Sequence, residues 1–132
     1  MIQSVDSIKL AEEIDRHAGR IGRCQDILIE VNIGGEKSKS GIAASGLEEL
    51  VYQVSELENI RVRGLMAIPP AGSSERFLFD MQKLYIDISQ KKIHNISMDY
   101  LSMGMSGDYE AAIKYGANMV RIGRGLFGPR NY

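Results

Sequence analysis

The residues best suited to chemistry lie between Ser102 and Asp108, in the run SMGMSGD. Glycine lets the main chain approach an anion closely, and Ser106 can donate a hydrogen bond to it. Asp108 is a suitable N-cap for a following helix, whose N-terminus would add free N–H groups and partial positive charge. The pattern predicts a phosphate-binding loop; the alternative is an ordinary turn, which uses the same residue types.

A second candidate anion site lies further along the chain, in the run RIGRGLFG that begins at Arg121. Gly123 and Gly125 could expose backbone donors at the end of a strand. Arg121 and Arg124 could add charge-assisted hydrogen bonds to a phosphate. The alternative is that the arginines are solvated and the glycines only turn the chain. Two such loops after neighbouring strands favour the phosphate interpretation.

A third polar stretch, EVNIGGEKSKSG, also leaves a predicted strand. Asn32 could hydrogen-bond a ligand, and Lys37 and Lys39 could attract an anion. The alternative is a solvated glycine-rich loop with surface lysines. Neither lysine suits covalent capture of an aldehyde, because that role requires a desolvated amine with a lowered pKa.

No other side chains assemble into a catalytic or metal site. His17 and His94 are far apart in the sequence, so metal ligands are not clustered. Cys24 has no evident catalytic partner, and Met103 lies in a strand, where methionine ordinarily fills the core. No Ser-His-Asp order or pair of carboxylates can be recognised.

Short aliphatic runs alternate with helical patterns, and these elements must position the loops. The predicted strands cover residues 26–33, 61–68, 99–105 and 118–122, with a shorter one at 2–5. Apolar stripes predict helices near 7–17, 47–57 and 77–88, and a short helix from Asp108 to Gly116. The alternation predicts an α/β domain with parallel strands and sites at their carboxyl ends. The run PPAGSS at 69–74 is interpreted as a loop within one domain, 1–132.

Size and composition restrict the class of protein. Five strands do not close an eight-stranded barrel, which usually needs about 250 residues, so the chain is an open sheet or a piece of a larger barrel. Sixteen basic and seventeen acidic residues, without a block of like charge, indicate neither a nucleic-acid nor a membrane partner. A single cysteine, with no signal-peptide pattern, predicts a cytoplasmic protein.

Four runs taken together resemble the pyridoxal 5′-phosphate (PLP) homeostasis proteins over essentially the whole chain: IEVNIGGEKSKSGI, VRGLMAIPP, LSMGMSGDYEAAI and VRIGRGLFGPRNY. That family has a (β/α)8 TIM barrel, similar to the N-terminal domain of alanine racemase, with PLP at the C-terminal mouth of the strands. The resemblance is to the later, C-terminal part of the barrel. It implies that the lysine that binds PLP belongs to an earlier strand, outside these 132 residues.

The resemblance also implies roles for individual residues. Ser106 and the backbone around Gly123 and Arg124 would hold the PLP phosphate, while Arg121 would face the pyridine nitrogen. An arginine there keeps the nitrogen unprotonated and weakens PLP as an electron sink. Arg124 departs from the family, which usually has a small hydroxyl residue at this position. Its side chain could reach the phosphate or crowd the loop.

Asn32 and Met103 complete the residues assigned to the cofactor. The resemblance implies a non-catalytic PLP carrier of the vitamin B6 economy, since a racemase would need the lysine and an opposing acid or base. Only non-covalent binding is expected here, with PLP as the small-molecule partner. The alternative is a truncated or redesigned scaffold that binds no ligand. An uncovered barrel edge would favour self-association.

Overall fold

The computed structural model describes residues 1–72 and 75–131, which form a parallel sheet with helices packed against it. The strands are β1 (Ile2–Val5), β2 (Gln25–Asn32), β3 (Ile42–Ala43), β4 (Ile60–Ala67) and β5 (Ile96–Ser102). The helices are α1 (Ile8–Arg20), α2 (Leu47–Ser55), α3 (Arg76–Gln90), α4 (Tyr109–Lys114) and α5 (Arg124–Phe127). Every strand pair is parallel, which confirms the predicted α/β class.

The strand order is β1-β2-β4-β5, and the two-residue β3 pairs with β2. Glu30 of β2 stands opposite Met66 of β4, and Met66 stands opposite Ser102 of β5. Successive side chains of a strand point to opposite faces, so these three residues share one face of the sheet. The candidate loops begin at the carboxyl ends of these strands.

The hydrophobic core lies between the other face of the sheet and the helices. It contains alternate residues of β2, among them Ile27 and Ile29, and the apolar stripe of α2 around Leu50 and Val51. All four side chains are buried. Burial of each such side chain contributes about 1.5–3 kcal/mol, so the stripe fixes α2 against the sheet. The position of β2 then fixes where the loop after its carboxyl end begins.

The sheet is strongly curled. Adjacent strands lie about 4.8 Å apart, so a flat sheet would place β1 and β5 roughly 14 Å from each other. The side chains of Gln3 in β1 and Ser102 in β5 nevertheless form a hydrogen bond of 2.7 Å. The curvature is therefore that of a barrel wall, and it brings the first and last strands to one interior.

Two predicted strands differ from the structure. The strand predicted at 99–105 runs from Ile96 to Ser102, because Gly104 has a φ of +103° and turns the chain. The strand predicted at 118–122 was wrong as a regular strand: only an isolated parallel bridge joins Met119 to Ser102. The Asn118 side chain occupies the adjoining place, since it accepts from Leu101 N at 2.8 Å and donates to Asp99 O at 2.7 Å.

The other predicted elements agree with the structure except at their ends, whereas the short elements β3 and α5 were not predicted. Helix α1 continues to Arg20, and its N-cap Ser7 accepts a hydrogen bond from Leu10 N. Gly116, with a φ of +92°, follows α4 as predicted for a C-terminal glycine. Ser73 and Ser74 of the predicted loop lie outside the described residues. Within the described ranges, no helix has the length and apolar character that crossing a membrane requires.

Candidate functional site

The first candidate loop, residues 104–108, is called the β5 loop. A Cβ on Gly104 would lie 2.8 Å from the Ala112 Cβ, so glycine is required where the chain leaves the sheet. Asp108 occupies the N-cap position of α4, but its side chain does not cap the helix. Its Oδ1 instead accepts from Met105 N at 2.8 Å, which closes the loop on itself. Asp108 therefore shapes the loop from within.

The second candidate loop, residues 121–125, is called the C-terminal loop, and it lies directly against the β5 loop. Gly125 N donates to Ser106 Oγ at 2.9 Å, and Arg121 N donates to Gly104 O at 2.9 Å. A Cβ on Gly125 would lie only 3.3 Å from Ser106 Oγ, so glycine allows this approach. The structure thus brings together the two loops that the sequence singled out.

Free backbone donors surround the contact between the loops. Within residues 1–72 and 75–131, no protein acceptor is bonded to the N–H groups of Ser106, Gly107, Gly123 and Arg124. A Cβ on Gly107 or on Gly123 would meet nothing within 4 Å, so the space beside both glycines is open. Open space with clustered N–H groups and a hydroxyl suits a phosphate, whose oxygens accept several hydrogen bonds. The residues present therefore fit the phosphate end of PLP.

Arg121 is held on the interior side of the C-terminal loop. Its Nη1 donates to Ser102 Oγ at 2.5 Å, and its Nη2 donates to Ala67 O at 3.1 Å. Burial lowers the pKa of the Arg121 guanidinium, while the carboxylates of Glu30 and Asp108 act in the opposite direction. An arginine remains protonated under these conditions, so the site presents a fixed positive charge.

A cleft of 280 Å³ opens beside β2, at the third polar stretch. Glu30 lies at its base with only 4% of its surface exposed, and Ser40 Oγ donates to Glu30 Oε1 at 2.9 Å. Asn32 also lines the cleft, but its Nδ2 donates to Glu36 O at 2.8 Å. Lys39 forms an ion pair of 3.0 Å with Glu36. Asn32 and Lys39 are thus engaged by their own loop, while Lys37 is exposed.

Two other predicted site residues have different surroundings. The Met103 side chain is fully buried in the hydrophobic core, where it packs against the helix side of the sheet. The structure therefore does not bring this side chain to the two loops. Arg124 begins α5, is exposed, and forms no ion pair with a carboxylate of the described chain. The hydrogen bond from Gly125 N to Ser106 Oγ forms with an arginine at position 124.

Sequence reasoning assigned no role to three interior polar residues. Glu30 and Ser102 are nearly or fully buried, and each lies between two apolar residues of the sequence. A polar residue within such a run was a usable signal, because buried polar groups need partners. Gln3 gave no signal, since its contact with Ser102 depends on the curvature of the sheet.

Residues 1–131 match the family described as the alanine racemase N-terminal domain. A "Pyridoxal phosphate homeostasis protein" of Aquifex aeolicus is 41% identical and aligns with 100% of this chain and 59% of its own length. The protein of the same name from Escherichia coli K12 is 38% identical, with 98% and 56% covered. The chain thus spans less than two thirds of these relatives.

Solved structures agree with this assignment. PipY of Synechococcus elongatus, solved with PLP bound, is 33% identical and superposes with a TM-score of 0.87 over 96% of this chain and 60% of PipY. An alanine racemase of Clostridium difficile is 17% identical with a TM-score of 0.73, which shows a shared fold only. The chain therefore carries part of a barrel of this class and belongs to the alanine racemase N-terminal domain family, in which relatives of 35–41% identity are named pyridoxal phosphate homeostasis proteins.

Proposed function

We propose that this chain is a non-catalytic binding protein for PLP that takes part in PLP homeostasis, and that it holds the phosphate between the β5 loop and the C-terminal loop. The observation that carries the proposal is the hydrogen bond from Gly125 N to Ser106 Oγ, with free N–H groups on both sides of it. Ser106 can accept from Gly125 while its own proton is donated to a phosphate oxygen. One hydroxyl thus serves the loop contact and the ligand together.

The charges near the loops support an anionic ligand. The acidic side chain within the β5 loop is that of Asp108. One of its carboxylate oxygens accepts a hydrogen bond from Met105 N, which partly offsets its negative charge. Arg124 is exposed at the start of α5, and the hydrogen bond between the two loops forms at the residue that follows it. We propose that its guanidinium attracts the phosphate electrostatically rather than crowding the loop. Arg124→Ser is expected to weaken PLP binding a few-fold and to reduce the salt dependence of that binding.

Arg121 is proposed to face the ring nitrogen of PLP. PLP supplies an electron-withdrawing ring when it is bound, and an acidic partner at the ring nitrogen strengthens that property. Arg121 has no proton-accepting atom and carries a fixed charge, so it donates to an unprotonated nitrogen instead. This arrangement favours holding PLP over using it in a reaction. The relatives of 35–41% identity are likewise named for homeostasis and not for a reaction.

The assignment of these strands to the later part of the barrel stays a prediction, as does the position of the PLP-binding lysine outside them. We therefore propose that this chain binds PLP without a covalent bond. Asn32 and Met103 stay predicted contacts; for Met103 the fully buried side chain leaves the backbone as the only candidate group.

A titration with matched ligands tests the proposal. Binding of PLP and of pyridoxal, which lacks the phosphate, is measured by the absorbance of the aldehyde, with inorganic phosphate as competitor. We expect PLP to bind at least about tenfold more tightly than pyridoxal, because charge-assisted hydrogen bonds to the phosphate are lost in pyridoxal. Equal affinities would overturn the phosphate site, and no binding of PLP would overturn the proposed function and favour a scaffold without ligand.

The same samples, after borohydride reduction and measurement of intact mass, report on covalent capture. No reduced adduct is expected. A stoichiometric adduct on one lysine would show that the chain supplies its own substitute for the family lysine, and peptide mapping would begin with Lys37 and Lys39. That result would overturn the non-covalent part of the proposal while leaving PLP binding intact.

Self-association at an uncovered edge is also proposed. Among the described strands, β1 pairs only with β2, and Ile2 of β1 lines an apolar groove of 390 Å³ together with Ile14 of α1 and Ile21 at its C-terminal end. Burial of these side chains in a second copy would remove apolar surface from water. Sedimentation analysis over a range of concentrations should detect a dimer, and Ile21→Lys should weaken it; a monomer at every concentration would contradict this.

A further inference from the structure

We propose that Ser102 is a positioning residue for Arg121, and that Gln3 positions Ser102 in turn. The three side chains form one continuous chain of hydrogen bonds across the interior face of the sheet. Arg121 Nη1 donates to Ser102 Oγ at 2.5 Å, and Ser102 Oγ donates to Gln3 Oε1 at 2.7 Å. Ser102 has no exposed surface, so water does not replace either partner.

The direction of each hydrogen bond follows from which atoms carry protons. A guanidinium has donors only, so Ser102 Oγ must accept from Arg121. The single hydroxyl proton of Ser102 must then go elsewhere, and Gln3 Oε1 is the acceptor in reach. Gln3 thereby turns the hydroxyl so that a lone pair faces Arg121.

The orientation of the Gln3 amide is also determined. Its Nε2 lies 3.2 Å from the sulfur of Met119, a weak acceptor. The reversed amide would place an oxygen against that sulfur and would leave the Ser102 proton without an acceptor. Met119 itself bridges to Ser102 through the backbone. The network is therefore anchored at both ends of the curled sheet.

The N–H donors of Arg121 that are not bonded to the protein are the ones available to a ligand. A guanidinium has five N–H donors in one plane. One donor on Nη1 is taken by Ser102 and one on Nη2 by Ala67. These two hydrogen bonds fix the orientation of the guanidinium plane. The other donors then have fixed directions before any ligand arrives. A pre-oriented group loses less conformational freedom on binding, so the interaction is stronger.

This inference rests on the proposed function, because it assigns Arg121 to the ring nitrogen of PLP. It is tested with PLP, a PLP analogue in which a C–H group replaces the ring nitrogen, and inorganic phosphate. The native chain should bind PLP about tenfold more tightly than the analogue, which corresponds to one hydrogen bond to a charged group. Ser102→Ala should reduce that preference to about twofold or less while leaving the affinity for inorganic phosphate unchanged.

Conservative variants separate positioning from general damage. Ser102→Thr keeps the hydroxyl and should retain the preference for PLP over the analogue. Gln3→Leu removes the acceptor at a half-buried position and should lose part of the preference, which keeps the test available if Ser102→Ala does not fold. An equal loss of affinity for all three ligands in Ser102→Ala or Gln3→Leu would overturn the inference, because it would indicate a purely structural role.

A measurement without ligand distinguishes failure of this inference from failure of the proposed function. In the unliganded chain, the side-chain N–H signals of Arg121 in a ¹⁵N NMR spectrum should be resolved and protected from exchange with solvent. Ser102→Ala should abolish that protection, and Ser102→Thr should restore it. If the native chain binds no PLP but the signals behave in this way, the proposed function fails and the positioning of Arg121 stands. Unprotected signals in the native chain would overturn the positioning itself.

Discussion

Ser106 Oγ accepts a hydrogen bond of 2.9 Å from the backbone N–H of Gly125, so one side chain joins the two loops at the candidate site. The loops leave the sheet at different points of the sequence, and each alone resembles an ordinary turn. Their value as a phosphate site depends on this contact, because it places the free donors of both loops around one space.

Replacement of Ser106 by alanine should therefore weaken PLP binding by about tenfold, because a hydroxyl donor to a charged phosphate is lost. Isothermal titration calorimetry measures the change. Ser45→Ala, at an exposed serine in the 3-10 turn before α2, serves as the control and should bind PLP like the native chain. A Ser106→Ala chain with native affinity would show that the phosphate lies elsewhere.

Gly64 is a position where a methyl group should be strongly destabilising. Its φ is +149°, and a Cβ would lie 1.8 Å from the backbone oxygen of Tyr100 in the neighbouring strand. Because a backbone atom of a paired strand cannot move aside, Gly64→Ala is expected to lower the free energy of unfolding by more than about 2 kcal/mol. Urea denaturation measures it.

Gly107→Ala is the matched control for this prediction, since a Cβ there would meet nothing within 4 Å. It should unfold at nearly the native urea concentration. Equal midpoints for the native, Gly64→Ala and Gly107→Ala chains would contradict the close approach of β4 and β5.

The Asn118 side chain takes part of the place of the regular strand predicted at 118–122. Its side chain accepts from Leu101 N and donates to Asp99 O, so the amide pairs with β5 as a neighbouring strand would. Asn118→Ala should lower the free energy of unfolding by about 2 kcal/mol, since two backbone groups lose their partners. Thermal unfolding followed by circular dichroism measures the loss, and Asn131→Ala at an exposed position is the control. A native melting temperature for Asn118→Ala would refute this role.

The pH dependence of stability should reflect an ion pair on the sheet. Arg63 donates to Asp99 Oδ2 at 2.6 Å and to Asp26 Oδ2 at 2.7 Å. The hydrogen bond from Arg63, followed by that from Ser97, lowers the pKa of Asp99 below its ordinary value. A lowered pKa means that Asp99 contributes stability above the ordinary carboxyl pKa and loses it as the pH falls through the folded value.

Asp99→Asn should therefore reduce the difference in urea midpoint between neutral and acidic solution. Glu58→Gln, at an exposed carboxylate without an ion pair among the described residues, should leave that difference unchanged. The result that counts against this interpretation is an equal acid sensitivity of Asp99→Asn and the native chain.

Much of this architecture could be predicted from residue patterns. Apolar stripes such as Leu50 and Val51 located α2, and glycine with serine located the loop that contains Ser106. These features are local, so spacing along the chain expresses them. The packing of Met103 into the core was equally local, since methionine in a strand ordinarily fills the core.

The interior network could not be predicted in the same way. The bond between Gln3 and Ser102 exists because the sheet curls, and curvature is a property of all the strands together. The Asn118 side-chain amide likewise bonds a backbone group of β5, as a strand would. The alternation of apolar and polar residues does not predict such a bond.

The bond between Gln3 and Ser102 also has a kinetic meaning. It joins residues 99 positions apart, so closing the intervening chain costs more conformational entropy than pairing strands that are closer in sequence. During folding, β2 and β4 should therefore pair early, while the interior of the curled sheet closes last. The guanidinium of Arg121 should form its hydrogen bond to Ser102 in that final step. The candidate ligand site is then completed after most of the helices have packed against the sheet.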